Sequence, residues 1–155
     1  MDVTIRLATN EDLDATADLV ARVLEEFALL AERAELDREL ASLLDLDRSG
    51  LWLAHEDGRL IGSVAIADLG DETCELKRMY LVASARGRGV GKRLFQHALD
   101  FARVQGYRAV LLDTDSKMET ARAMYRRAGF VPRASATLNA SCDTAMILEL
   151  ETVER

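Results

Sequence analysis

Residues 85–94 read ARGRGVGKRL, with glycines at 87, 89 and 91 and cations at 86, 88, 92 and 93. Bare backbone beside positive charge has the makings of an anion cradle. Glycine lets a chain approach its ligand closely, and successive N–H groups at a helix start can hold phosphate oxygens. Spacing decides between cradles. A P-loop ending at Gly91-Lys92 needs glycine at 86 and a hydroxyl at 93, and both positions are arginine. A dinucleotide fingerprint starting at Gly87 needs its third glycine at 92, which is lysine. The pattern that fits is [QR]-x-x-G-x-[GA], filled by Arg86, Gly87, Arg88, Gly89, Val90 and Gly91. A flexible turn would use the same residues, so the motif needs structural context before it means a pyrophosphate site.

Other chemistry is sparse. The cysteines are Cys74 and Cys142 and the histidines His55 and His97, with no metal-ligand spacing among them. The expectation is therefore reduced thiols in a cytoplasmic protein and no metal. Neither histidine has a local relation to Cys74 that would mark an activated thiol. The N-terminal "MDVTIRLATNEDLDAT" lacks the basic flank and apolar core of a signal peptide, and no run approaches the roughly 20 apolar residues of a membrane span.

Charge is unevenly spread. The net charge of −7 divides into −10 over residues 1–70, +6 over 71–133 and −3 over 134–155. A basic middle in an acidic chain is expected to meet an anion. Nucleic acid fits poorly, because the chain as a whole is acidic and the basic segment has little aromatic interleaving.

The elements that must position the loop follow from periodicity. The 155 residues suit a single domain spanning 1–155, with no repeat or linker inside it. "VTIRLA" alternates as a strand, Thr9 or Asn10 offers an N-cap, and helical spacing runs from Leu13 to Phe27. A second helix is predicted over Leu29–Leu46. "LWLAHE", the turn "DGR" and "LIGSVAIADL" form a hairpin, and "TCELKRMYLV" adds a further strand. After the glycines, Leu94, Ala98, Leu99 and Ala102 mark a helix stopped by Gly106. "RAVLLDT" reads as a buried strand. Ser116 and Glu119 have the spacing of a capping box for a helix through Tyr125, stopped by Gly129. "FVPRASATL" and "TAMILELE" close as a hairpin. The fold class is α/β (α+β): a mixed, mostly antiparallel sheet with helices on both faces.

With these elements around it, the loop resembles that of the GNAT superfamily of acyl-CoA-dependent N-acetyltransferases. The resemblance is densest in "ELKRMYLVASARGRGVGKRLFQHALDFARVQGYRAVLLDT" and "METARAMYRRAGF", and begins at "IRLATNEDLDA". It implies a fold in which the strand before the loop splays from its neighbour to pair with the pantetheine arm of CoA. Met79, Leu81 and Val82 belong to that strand end, and the loop amides from 87 to Lys92 would take the pyrophosphate. Two positions depart from the family pattern. Met118 stands where an asparagine near the CoA arm is common, and Ala83 replaces a proline.

The resemblance also implies roles in acetyl transfer. Glu75, on the splayed strand, is the candidate base, directly or through water. Tyr125 is the candidate acid toward the departing sulfur. A backbone N–H near Met79 or Leu81 would polarise the carbonyl. Acetyl-CoA is the implied donor, attacked directly in a ternary complex. The acceptor is a primary amine on a small molecule, amino acid or peptide. The acidic segment from Leu24 to Leu46 favours a cationic amine, whereas Lys77 and Arg78 suit an acceptor carboxylate, and Asp113 with Thr114 could line the acceptor site. A homodimer is compatible with this reading, and neither nucleic acid nor membrane is expected as a partner. The alternative is a non-catalytic CoA-binding sensor or partner module.

Overall fold

A computed structural model of the chain describes residues 2–134 and 144–151. Its strands are β1 (Val3–Leu7), β2 (Gly50–Glu56), β3 (Arg59–Gly70), β4 (Thr73–Leu81), β5 (Ala109–Thr114), β6 (Val131–Pro132) and β7 (Thr144–Glu149). The helices are α1 (Leu13–Glu26), α2 (Arg33–Asp45), α3 (Val90–Val104) and α4 (Glu119–Arg127). The strands form one sheet in the order β1-β2-β3-β4-β5-β7-β6. Every neighbouring pair is antiparallel except β4 and β5. The mixed, mostly antiparallel sheet expected from the sequence is what forms.

Local chemistry accounts for most boundaries. Asp57 and Gly58 both take positive φ, +51° and +77°, which gives the β2–β3 hairpin a turn whose twist matches its strands. Thr9 caps a single 3-10 turn at Asn10–Asp12 that runs into α1, and its backbone N–H donates to Asp12 Oδ2 at 2.7 Å. Gly106 ends α3 in the left-handed region, with its N–H on the Arg103 carbonyl and the Tyr107 N–H on that of Ala102. Gly129 ends α4 in the same way.

Two boundaries differ from expectation. The second helix starts at Arg33 rather than Leu29, because Ala28 turns to φ +57° and Glu32 then caps α2. Its carboxylate accepts the Ala34 and Glu35 N–H groups at 3.1 and 2.9 Å. Ser116, expected as the cap, is not the cap residue: α4 begins at Glu119 with Met118 in that place. The turn before it is held instead by Asp115, whose Oδ1 accepts the Lys117 N–H at 2.8 Å. Of the predicted final hairpin, residues 135–138 lie outside the described residues.

Both faces of the sheet are covered. On β2, Trp52 meets Phe101 of α3 edge-on at 4.9 Å, while Leu51 and Leu53 point the other way and are fully buried. The second face is closed by α1 and α2, through Val20, Val23, Leu24, Leu36 and Leu40. Cys74 is buried on the other face, that of Trp52, with no exposure. Burial and the nearby Asp68 charge push its thiol up to about 12, so it carries no nucleophilic thiolate near neutrality.

Candidate active site

The parallel pairing of β4 with β5 covers only Thr73, Cys74 and Glu75 against Ala109, Val110 and Leu111. Past Glu75, β4 stays with β3 and β5 stays with β7. The two strands therefore fork, and among the described residues their facing backbone edges from residue 76 and from residue 112 onward have no strand partner. Such an edge offers main-chain groups to an extended ligand. Glu75 stands at the vertex.

The glycine loop lies where β4 leads into α3. Gly87 and Gly89 have φ of +75° and +82°, which a Cβ would strain. Gly91 serves a different need: a Cβ there would come within 3.1 Å of the Leu81 side chain, so glycine lets α3 start close against β4. Among the described residues, the N–H groups of 87–92 donate to no carbonyl or side chain, while the Arg93 N–H already closes on the Gly89 carbonyl at 3.1 Å. These free donors at a helix start fit a pyrophosphate.

The loop's cations divide. The Arg86 guanidinium grips Glu26 at the end of α1, donates to the Leu81 carbonyl at 2.9 Å and lies over the Phe27 ring. Arg88 grips Glu56 at the end of β2. Arg93 donates to the Val3 carbonyl at 3.1 Å. Lys92 is exposed and makes no ion pair with any described residue. Among the described residues, the loop cations without a carboxylate partner are Lys92 and Arg93, and of these only Lys92 has its head free of a carbonyl. Arg86 and Arg88, expected to add their charge to the cradle, use their guanidiniums to tie the loop to its surroundings.

A cleft at the fork brings together Lys77, Arg78, Met79 and Tyr80 of β4, Asp113 and Thr114 of β5, Met118, and Tyr125 of α4. Leu24 and Leu29 form its other wall. Tyr125 is 5% exposed, its ring set against Phe95 at 5.6 Å and Phe130 at 5.9 Å. Glu75 does not line the cleft; its carboxylate is 3.6 Å from Lys77 Nζ on the same strand. Leu81 and Val82 lie at the strand end, where the Val82 N–H donates to the Ile61 carbonyl at 2.9 Å.

Strand β4 carries an irregularity in the cleft. Ser63 pairs with Tyr80 but Ala65 pairs with Lys77, so Arg78 and Met79 together oppose the single residue Val64. Arg78 has φ +53°, a conformation that costs an ordinary residue about 1–2 kcal/mol. Its carbonyl accepts the hydroxyl of Ser63 at 2.7 Å, and Ser63 is wholly buried.

The sequence reading missed Glu39. This α2 carboxylate meets Lys77 Nζ at 2.7 Å and is gripped by both arms of Arg78. Lys77 and Arg78, expected to face an acceptor carboxylate, thus already share one from the protein. Burial pushes Glu39 up, but the hydrogen bonds and charges of Arg78 and Lys77 outweigh it and hold the carboxyl below its usual range. Since the folded value is the depressed one, the stabilisation is complete above about pH 4.5 and is lost as pH falls through the folded value. Acid unfolding monitored by circular dichroism should show a smaller pH dependence in this range for Glu39→Gln than for the wild type.

No group of three or more His, Cys, Asp or Glu side chains suited to a metal ion occurs among the described residues. No described helix is long and apolar enough to cross a membrane.

Comparison with known proteins agrees with this geometry. Residues 18–130 match the model of the acetyltransferase (GNAT) family. The chain is 30% identical over 158 residues to an uncharacterized N-acetyltransferase, YjgM, of Escherichia coli K12, covering 94% of each chain. It is 35% identical over 112 residues to human N-acetylaspartate synthetase, covering 72% of this chain but 36% of that one. In structure it resembles a GNAT-family acetyltransferase from Staphylococcus aureus Mu50, with a TM-score of 0.88 at 17% identity, over 97% of this chain and 100% of that one. Other proteins of this fold have been crystallised with coenzyme A or acetyl-CoA.

Proposed function

Because this chain belongs to the acetyltransferase (GNAT) family, we propose that it transfers an acetyl group from acetyl-CoA to a primary amine of a small molecule or amino acid, by direct attack in a ternary complex. The observation that carries the reading is the fork between β4 and β5, set beside a loop whose N–H groups at 87–92 are unpaired among the described residues. Residues 1–155 would form one such catalytic domain, working in the cytoplasm with its thiols reduced.

Acetyl-CoA supplies a thioester whose carbonyl carbon accepts the amine and whose sulfur departs. The chain would contribute the rest. The loop amides and Lys92 hold the pyrophosphate, and the open edge of β4 from Met79 to Val82 receives the extended arm. Met118 lines the cleft as an apolar contact to that arm. Backbone N–H groups near Met79 and Leu81 donate to the carbonyl oxygen as negative charge develops there. An alkylamine with a pKa near 10 must lose a proton before it attacks. Glu75 takes that proton through water, since its place at the fork vertex is outside the cleft lining. Tyr125 donates its hydroxyl proton to the leaving sulfur and regains one, through water, from the proton the nitrogen sheds as the amide forms.

Glu39 bears on the acceptor. Glu39, with Glu75 3.6 Å from Lys77 Nζ, balances the charges of Lys77 and Arg78, so the β4 wall offers little net positive charge, while Asp113, 3.8 Å from Arg133, and Asp115 line the opposite wall. An amine acceptor therefore meets a neutral-to-acidic cleft. Free-thiol release from acetyl-CoA across a panel of simple amines, amino acids and amino-acid amides tests this. Turnover of amines and amides at least as fast as that of the free amino acids is expected. Turnover restricted to acceptors with a free carboxylate would replace this acceptor class by one that displaces Glu39.

A further inference from the structure

The bulge in β4 is held from two sides at one residue, by Ser63 at the Arg78 carbonyl and by Glu39 at its guanidinium. We propose that Ser63, Glu39 and Arg78 form a clamp that fixes the backbone of β4 in the shape the reaction needs. Arg78 is then a positioning residue, and its guanidinium is not an acceptor contact. The proposal rests on the acetyl-transfer reading, in which N–H groups near Met79 polarise the thioester carbonyl.

A bulge inserts a residue on one side of a ladder and re-aims the main-chain groups around it. Here the inserted residue is followed directly by Met79, at the open edge of the fork. Left to itself the chain would relax, because a side-chain-bearing residue at φ +53° prefers another conformation. Strained backbone persists only where its surroundings over-determine it. The carbonyl of Arg78, displaced from the ladder, takes its hydrogen bond from Ser63, a buried hydroxyl on β3. The side chain of Arg78 runs to Glu39, with its Nη2 at 3.3 Å from Oε1, and Lys77 holds the same carboxylate. Glu39 is itself fixed, because α2 is anchored in the core by Leu36, Leu40 and Leu43. The clamp thus ties the strand that would polarise the carbonyl to β3 and to a helix on the acceptor side.

The test is steady-state kinetics on the full chain with an amine that the wild type acetylates, comparing Arg78→Ala, Arg78→Gly and Ser63→Ala. Alanine and glycine remove the guanidinium equally, but only glycine holds positive φ without steric cost. The kcat of Arg78→Gly should exceed that of Arg78→Ala about tenfold, with acceptor KM within about threefold of wild type in both. Ser63→Ala should lower kcat about tenfold with KM for acetyl-CoA unchanged. Equal kcat in the two Arg78 variants, with a raised acceptor KM, would overturn the proposal in favour of direct acceptor contact. Wild-type kcat in Ser63→Ala would overturn it as well. If Arg78→Ala fails to fold and Arg78→Gly folds, the demand for positive φ is upheld; if neither folds, Ser63→Ala decides. Absence of wild-type turnover on every amine would instead count against the acetyl-transfer reading. Melting temperatures would then judge the clamp, and an Arg78→Gly variant no more stable than Arg78→Ala would overturn it.

Discussion

Tyr125→Phe is expected to lower kcat by about 10²–10⁴ while leaving the affinity for CoA nearly unchanged. The ring is fixed by Phe95 and Phe130 and is almost fully buried, so phenylalanine keeps the packing and removes only the hydroxyl. If that hydroxyl protonates the leaving sulfur, its contribution arises mainly in the transition state and appears in kcat. A tyrosine serving only the core would lose about 1 kcal/mol of stability with little change in turnover. Rapid-mix single-turnover rates, free of product release, measure the difference. A rate near that of the wild type would assign protonation of the sulfur to water.

Gly89→Asp should abolish CoA binding in a protein that still folds. Gly89 sits at φ +82° at the start of α3, and a Cβ there meets no atom within 4 Å. Aspartate tolerates the left-handed region better than most residues, so the backbone should survive. Its carboxylate, however, would sit among the N–H groups of 87–92, satisfying donors meant for the pyrophosphate and repelling it. Calorimetry should detect CoA binding to the wild type alone. Acetyl-CoA at about 100 times its Kd should stabilise the wild type by about 2.7 kcal/mol and leave the variant's melting temperature unmoved. Unchanged affinity in a folded variant would remove the loop from the cofactor site.

The parts legible in the sequence were those written in local patterns. The glycine spacing at 87, 89 and 91, the strand before it and the helix carrying Tyr125 all lie close together in the chain, and each formed where expected. The Ser116 position was a local pattern read as a cap, whereas the Asp115 turn puts Met118 there. What was illegible depended on the tertiary fold. Arg86 meets a carboxylate 60 residues away and Arg88 one 32 residues away, so a motif rich in cations could not reveal that two of them are already neutralised. Glu39 looked like any acid on the polar side of an amphipathic helix, yet packing of α2 places it against Lys77 and Arg78. Nor does an arginine in a strand announce a left-handed backbone.

The measurement that bears most directly on direct acetyl transfer at the fork is the initial rate of thiol release, with acetyl-CoA and an acceptor amine varied together. A rate that requires both, with intersecting double-reciprocal lines and the acetylated amine as product, is the expected result. Parallel lines would indicate an acyl-enzyme, and CoA binding with no amine-dependent release would indicate a sensor; either would contradict transfer in a ternary complex.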